Sequence, residues 1–154
     1  AWGMWGLLQH PEELARIKSD ADANLQGAVE EVIRWASPVY HFRRTATRDC
    51  EIAGQPVREN DRVVLLYTSA NFDETVFADP MRFDIRRNPN PHLAFGHGIH
   101  LCLGANLARL EARVFFEEFF RHFSGIEATG EARRIRSNLV NGHKYMPVRL
   151  HPRA

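Results

Sequence analysis

Residues 95–104 place one cysteine among three glycines, and these residue types in this order suit the binding of a metal cofactor. Cys102 supplies a thiolate, which is the form of cysteine that binds metal ions. Gly96, Gly98 and Gly104 lack side chains where the backbone must approach a flat ring or adopt positive φ. A stretch with helical periodicity follows at once, and the N-terminal end of a helix stabilises a nearby anion. The pattern favours a thiolate held against one face of a large, flat metal cofactor.

Two further side chains in the same segment would assist such a cofactor. Phe95 offers an aromatic edge that would cover the sulfur of Cys102 and exclude water. His100 would donate a hydrogen bond to a carboxylate group of the cofactor. The segment thus holds a ligand, a shield for that ligand and a second attachment point within ten residues.

Two other interpretations of these residues remain open from spacing alone. A lone cysteine is commonly a small buried apolar residue, and a glycine-rich stretch is commonly a turn. A zinc site is the other alternative, and its candidate ligands would be His92, His97, His100 and Cys102. Zinc sites normally have four nitrogen or sulfur ligands in closely spaced pairs. The only other cysteine, Cys50, lies far upstream in a strand-like segment, which argues against zinc.

The segment around Cys102 resembles the F-x-x-G-x-H-x-C-x-G loop of the cytochrome P-450 family, the haem-thiolate monooxygenases. Upstream, Glu31-Val32-Ile33-Arg34 is similar to the E-x-x-R motif of the same family. Between the two, residues 77–84 resemble the family's meander, a coil that precedes the cysteine loop. The cysteine loop is highly specific, whereas E-x-x-R alone carries little weight. The resemblance extends over residues 4–150, which is nearly the whole chain.

This resemblance implies a haem b cofactor with Cys102 as the axial ligand of its iron. It also implies that His100 and Arg44 hold the haem propionates, since a guanidinium can bind a carboxylate through two hydrogen bonds. Val39 and Phe42 would line the substrate pocket above the haem. A cysteine ligand favours O–O cleavage because it pushes electron density onto the iron.

Glu31 and Arg34 stand three residues apart, so they share one face of a helix. A solvated pair of this kind contributes about 0.3 kcal/mol. The resemblance instead implies a buried pair that is bonded to an arginine of the meander. Arg82 is the best candidate for that arginine, and Arg86 is the second.

The composition is that of one ordinary globular domain. The chain has 154 residues, of which 44% are hydrophobic and 25% are charged, so it can bury a single core. A net charge of +1 gives no reason to expect nucleic acid or an anionic membrane as a partner. No apolar run has the length of a membrane span. Two cysteines, one of them a candidate ligand, leave no disulfide framework, which favours a reducing cytoplasm.

The expected fold is mainly α with a small mixed β region, the C-terminal part of the cytochrome P-450 fold. Apolar periodicity predicts helices over 2–9, 11–19, 25–37 and 105–123, with a loop at 20–24. Leu103, Leu107, Leu110 and Val114 follow helical spacing and are predicted to face the core. Strands are predicted over 39–47, 50–53 and 62–67, with turns at 54–56 and 59–61, and Asn141-Gly142 predicts a hairpin near the end of the chain.

Family members are more than twice as long as this chain, and Ala1 is not an initiator methionine. The resemblance therefore predicts that residues 1–154 are the C-terminal part of one domain, without the distal helix that handles protons for oxygen activation. The expected parent is a bacterial-type monooxygenase that takes electrons from NAD(P)H through a ferredoxin and oxidises a hydrophobic substrate with O2. Residues 43–47 and 137–142 resemble actinobacterial members that act on sterol side chains or branched lipids. The alternative is a truncated haem-binding remnant without catalysis.

Overall fold

The computed structural model describes residues 1–153, and helices dominate its first part. Three helices follow one another from the start, a short helix lies near the middle, and a long helix follows the cysteine loop. Their bounds are α1 Trp2–Gln9, α2 Pro11–Ser19, α3 Ala21–Ala36, α4 Tyr67–Asn71 and α5 Ala105–His122. The mainly helical prediction is confirmed for this part of the fold, and α1 and α2 have the predicted bounds.

The strands form small sheets of two strands each, and every one of these pairs is antiparallel rather than mixed. The strands are β1 His41–Thr45, β2 Cys50–Ile52, β3 Gln55–Val57, β4 Arg62–Leu66, β5 Phe123–Ala128, β6 Arg133–Arg134, β7 His143–Tyr145 and β8 Val148–Pro152. Strand β1 pairs with β4, β2 with β3, β5 with β8 and β6 with β7. An isolated bridge between Val39 and Val140 brings the C-terminal strands against the start of the first sheet.

Helix α3 begins earlier than its apolar periodicity predicts. The side chain of Asp20 accepts a hydrogen bond of 3.0 Å from the backbone N–H of Ala23, which caps the helix at its first turn. The loop predicted at residues 20–24 is therefore wrong, because a capping aspartate permits a polar first turn. At the other end the helix stops at Ala36, and Ser37 adopts a left-handed φ of 39° just before Pro38.

The core lies where α1, α2, α3 and one face of α5 meet. Helices α1 to α3 contribute the aliphatic side chains and α5 contributes aromatic rings. Phe83 of the meander and Ile85 just after it are also inserted into this core and are almost fully buried. The other buried apolar members are Met4, Leu7, Leu14, Ile17, Leu25, Ala28, Val29, Ile33, Ala94, Phe116, Phe119 and Phe120.

Helix α5 has two apolar faces, and only one of them is covered within residues 1–153. The face that carries Phe116 and Phe120 packs into the core. The second face carries Leu107, Leu110 and Val114, Leu103 lies just before the helix, and all four side chains are exposed. The prediction that these four residues belong to the core is therefore wrong, because the covered face of α5 is the phenylalanine face.

Two predicted turns also differ from the structure. The turn between β2 and β3 lies at Ala53 and Gly54, which both have positive φ, so Gln55 already belongs to a strand. The hairpin predicted around Asn141-Gly142 is present, since β6 and β7 pair antiparallel, but residues 135–142 form a loop much longer than a two-residue turn. The side-chain amide of Asn141 donates a 2.6 Å hydrogen bond to the carbonyl of Ala36. This bond holds the C-terminal segment against the end of α3.

Helix α3 packs closely against the backbone just after the meander at Gly27. A Cβ atom at this position would lie 2.2 Å from the carbonyl oxygen of Ile85, which is a backbone atom. We expect Gly27→Ala to lower the free energy of unfolding by about 1–3 kcal/mol, because the helix must move away from this backbone. Denaturant unfolding of the full-length protein measures this loss. The control is Gln26→Ala, an exposed neighbour on α3, and equal midpoints for the two variants would contradict the prediction.

Candidate cofactor site

A cavity of about 560 Å³ opens beside Cys102. Its walls come from the cysteine loop, from the segment before β1 and β1 itself, and from α4. The cavity brings together six of the residues singled out from the sequence, namely Val39, Phe42, Phe95, Gly96, His100 and Cys102. It also includes Tyr67, a buried residue whose ring meets that of Phe42 edge to face at 5.9 Å. Sequence reasoning missed Tyr67, because nothing in its spacing separates it from the end of a strand.

The backbone of the cysteine loop is closed on itself by hydrogen bonds. The N–H of Cys102 donates to the carbonyl of Phe95 at 2.9 Å, and the carbonyl of Cys102 accepts from Ala105 at 3.2 Å. Gly96 and Gly98 have φ of 75° and 68°, which is the left-handed region that favours glycine. Helix α5 starts directly after this turn, so Cys102 lies two residues before the helix cap.

The surroundings of the sulfur fit a flat apolar cofactor. Cys102 is exposed, as are the side chains of Leu101 and Leu103 on either side of it. A Cβ atom on Gly104 would meet only the Sγ of Cys102, at 4.0 Å, so this side of the loop is open. A ring placed against the sulfur would cover these exposed apolar groups. The thiol, the open glycine and the apolar cavity wall together fit a haem.

The structure does not support the two alternative interpretations of the cysteine loop. Cys102 is exposed, so it is not a small buried apolar residue. Among residues 1–153, no three His, Cys, Asp or Glu side chains are grouped as metal ligands. Of the candidate zinc ligands, His92 directs its Nε2 atom to a carboxylate oxygen of Glu30, at 3.0 Å.

Of the two residues predicted to bind the haem propionates, only His100 lines the cavity, and Arg44 does not. His100 ends a short 3-10 helix, Gly98–His100, and lines the cavity. Arg44 is not among the residues that line it, and its Nη1 atom donates to the carbonyl of Arg43 at 3.1 Å. Arg44 follows Phe42 by two residues in β1, so both side chains leave the strand on the same face. The role of Arg44 stays a prediction.

Glu31 and Arg34 form a fully buried ion pair on α3. Two hydrogen bonds of 2.8 Å join the guanidinium to the two carboxylate oxygens, and both side chains are 0% exposed. Arg34 also donates to the carbonyl of Asn71 at 2.7 Å and to that of Pro80 at 3.0 Å. The pair therefore connects α3 to the end of α4 and to the meander.

The arginine that meets this pair is Arg87, not the predicted Arg82 or Arg86. The Nε atom of Arg87 lies 3.4 Å from a carboxylate oxygen of Glu31, and its side chain is only 9% exposed. Arg82 is exposed and contributes only its backbone carbonyl, which accepts from Arg34 at 3.3 Å. The reason is that Phe83 and Ile85 turn into the core, so Arg82 and Arg86 beside them point outward.

Two asparagines complete the buried network, and no sequence pattern pointed to either of them. The amide of Asn90 donates to Glu31 at 3.0 Å. The side chain of Asn71 is fully buried, donates to Ser37 at 2.9 Å and accepts from the N–H of Leu93 at 2.6 Å. These contacts connect the buried ion pair to the segment that leads into the cysteine loop.

A second charged cluster lies beside the first and is centred on Glu30. Arg109 of α5 binds this carboxylate with two hydrogen bonds, of 2.6 and 3.0 Å, and His92 binds it at 3.0 Å. Partial burial opposes ionisation of Glu30, but the hydrogen bonds from His92 and Arg109 and the charge of Arg109 outweigh it. Together they lower the pKa of Glu30 from 4.5 to about 2. The same bonds raise the pKa of Arg109.

This shift predicts that the stabilising effect of Glu30 depends on pH. A lowered pKa means that the ionised carboxylate stabilises the fold above about pH 4.5, and that the effect is lost as the pH falls toward 2. At neutral pH we expect Glu30→Gln to lower the free energy of unfolding by about 1–2 kcal/mol, with allowance for partial exposure. Denaturant unfolding at about pH 7 and about pH 3 measures the change. An equal loss at both pH values would contradict the prediction.

Comparison with known proteins gives a consistent family assignment. A family model described as cytochrome P-450 matches residues 23–143. The methyl-branched lipid omega-hydroxylase of Mycobacterium bovis is 50% identical over 147 residues, which are 95% of this chain and 34% of that protein. The steroid C26-monooxygenase of Rhodococcus jostii is 44% identical over 147 residues, which are 95% of this chain and 31% of that protein.

A solved structure shows the same fold. The crystal structure of P-450BioI, in complex with an acyl carrier protein ligated to hexadec-9Z-enoic acid, superposes with a TM-score of 0.93 at 38% identity. The match covers 97% of this chain and 39% of that one. This chain therefore spans about a third of the length of the curated relatives that it matches.

Proposed function

Because this chain belongs to the cytochrome P-450 family, we propose that it is the C-terminal, cysteine-bearing part of a haem-thiolate monooxygenase. The reaction would insert one atom of O2 into a C–H bond of a hydrophobic substrate. The observation that carries the proposal is the exposed sulfur of Cys102, which lies in a hydrogen-bonded loop at the wall of an apolar cavity.

Members of the family bind haem b, and the residues beside the cavity fit this group. When a thiolate binds its iron, haem supplies oxygen activation, because the sulfur pushes electron density onto the metal and favours O–O cleavage. Cys102 would hold the haem iron through its sulfur, and the space beside Gly104 would leave room for the group. His100 and Arg44 would hold the two propionates through charge-assisted hydrogen bonds.

The remaining cavity residues would control access to the reacting groups. Phe95 would keep water from the sulfur, because its ring is half-buried beside Cys102 in the same wall. Val39 and Phe42 would contact the substrate, since Val39, just before β1, and Phe42, within it, both line the cavity. The buried pair of Glu31 and Arg34 would keep the cysteine loop in place through the asparagine contacts described above.

The names of the relatives support a lipid-like substrate. One hydroxylates a methyl-branched lipid, another is a steroid monooxygenase, and the solved P-450BioI complex contains a fatty acyl group. These substrates share a long hydrophobic skeleton with few polar groups. We therefore propose a branched lipid or a sterol as the substrate of the full-length protein.

Electrons would come from NAD(P)H through a ferredoxin-type donor.

A cytoplasmic location is part of the proposal, and the two free thiols of Cys50 and Cys102 support it, because exposed thiols persist in a reducing compartment. Through residue 153, no helix has both the length and the hydropathy that crossing a bilayer requires.

Incubation of the full-length protein under ¹⁸O-labelled O2 tests the proposal. The reaction would contain NAD(P)H, a ferredoxin and its reductase, and either a methyl-branched fatty acid or a sterol. We expect a hydroxylated product that carries one labelled oxygen atom, with the second atom released as water. A haem-loaded protein that neither consumes O2 nor forms product with either substrate would contradict the proposal and favour a haem-binding remnant without catalysis.

A further inference from the structure

We propose that Glu30 is a positioning residue for the thiolate of Cys102, acting through the side chains of Arg109 and His92 on the ring of Phe95. This inference rests on the proposed haem-thiolate function. Glu30 precedes the buried Glu31 by one residue but binds a different set of partners. Whereas Glu31 contacts the meander, Glu30 contacts the start of α5 and the segment that enters the cysteine loop.

Arg109 lies between Glu30 and Phe95. Its two hydrogen bonds to the Glu30 carboxylate fix the plane of the guanidinium, because the two groups meet as a fork. The central Cζ atom of the same guanidinium lies 4.7 Å from the centroid of the Phe95 ring. A planar cation at this distance is attracted to the face of the ring. The carboxylate thus sets the position of the group that packs on Phe95.

His92 lies in the segment that leads into the cysteine loop, and its ring also packs against Phe95. Its side chain is 2% exposed. Its Nδ1 atom faces the N–H of Ala94 at 3.4 Å and therefore acts as an acceptor. The ring proton is accordingly assigned to Nε2, which donates to Glu30. The centroid of the His92 ring lies 6.0 Å from that of Phe95 in a tilted arrangement. Both partners of the Glu30 carboxylate therefore pack against one aromatic side chain.

Phe95 is joined directly to the cysteine. Its carbonyl accepts the N–H of Cys102 at 2.9 Å, and the two residues lie in the same cavity wall. A movement of the Phe95 ring would change both the solvent cover of the sulfur and the backbone bond that orients it. Hydrogen bonding and burial around a ligand sulfur tune the properties of the metal that it binds. The Glu30 cluster is thus placed to control the iron–sulfur bond without touching it.

A purely structural role makes a different prediction. If the cluster only holds α3 to α5, its loss lowers the thermal midpoint and leaves the iron–sulfur bond unchanged. If it positions the sulfur, its loss changes that bond at temperatures where the protein remains folded. The two roles are separable because the thermal midpoint reports the stability of the fold, whereas the iron–sulfur bond reports the position of the Cys102 thiolate.

The experiment compares Glu30→Gln with Glu117→Gln in the haem-loaded full-length protein. Glu117 is a matched control, since it pairs with Arg113 at 2.6 Å on the solvent side of α5 and loses an equal charge. The iron–sulfur stretching frequency is measured by resonance Raman spectroscopy, and loss of the red-shifted band is followed in the reduced, CO-bound state. For Glu30→Gln we expect a shifted frequency and loss of the band about tenfold faster. The control should match the unsubstituted protein in both readouts.

Three outcomes decide between the claims. An unsubstituted protein without the red-shifted thiolate band would overturn the proposed function itself. A normal band in the unsubstituted protein, with the same frequency and the same rate in Glu30→Gln, would overturn the positioning role alone. If Glu30→Gln retains no haem, Arg109→Lys decides, because lysine keeps the charge but loses the planar fork. Arg109→Lys is expected to shift the frequency in the same direction, and an unchanged frequency would overturn the inference.

Discussion

The Cys102→Ser variant of the full-length protein is expected to lose monooxygenase turnover completely while keeping its fold. A serine hydroxyl is not ionised at neutral pH and cannot replace the electron donation of a thiolate. The side chain is exposed at the cavity wall, so the substitution removes no packing from the core. Labelled oxygen in the product measures turnover, and the thermal midpoint of the apoprotein measures the fold.

Cys50→Ser is the matched control for this variant. Cys50 is the second free cysteine and is exposed on β2, outside the cavity wall. The control should keep full turnover, which separates the loss of a specific ligand from a general sensitivity to thiol removal. Persistent oxygenation by Cys102→Ser would show that another residue supplies the axial ligand.

The Glu31→Ala variant is expected to yield little haem-loaded protein. Removal of one partner from a fully buried ion pair costs about 3–5 kcal/mol, because the other charge is left without compensation. In this case Arg34 loses both of its 2.8 Å bonds, and Asn90 and the N–H of Asp84 lose their acceptor. The meander would then lose its hydrogen bond to the carboxylate of Glu31 on α3. The ratio of haem to protein after purification measures the effect.

The exposed pair of Glu127 and Arg149 provides the control for Glu31. Its two side chains join β5 to β8 at the surface with a bond of 2.7 Å, so Glu127→Ala should leave the haem content unchanged. The comparison separates the loss of a buried carboxylate from the loss of any carboxylate. Normal haem incorporation by Glu31→Ala would contradict the assignment of the buried network.

The helices were the most predictable part of the fold because local signals determine them. Pro11 and the acidic residues after it define the start of α2, and Pro38 limits the end of α3. The extra turn at the start of α3 escaped prediction because it depends on the cap at Asp20 and not on apolar spacing. The exposed leucine face of α5 escaped it because periodicity identifies an apolar face without saying what covers that face.

Long-range partners were harder to predict than motifs. The sequence motifs predicted that Glu31 and Arg34 lie on one face of a helix, as the structure has them. Most residues of the cysteine loop, including Cys102, line the same cavity. The choice between Arg82 and Arg87 could not be made from spacing, because it depends on which neighbouring side chains turn into the core.

The Glu30 cluster was also beyond the reach of sequence patterns. Its members His92 and Arg109 lie 62 and 79 residues away from Glu30 along the chain. Only the packing of α3 against α5 and against the segment before the cysteine loop brings the three side chains together. No local motif records a contact of this range.

The most direct test of the central claim is the absorption spectrum of the reduced, CO-bound full-length protein. We expect a red-shifted Soret band, because the thiolate of Cys102 would bind the haem iron. A band at the position typical of a neutral nitrogen or thiol ligand, in protein that is folded and contains haem, would contradict it. Protein that binds no haem at all would contradict both the cofactor and the function proposed here.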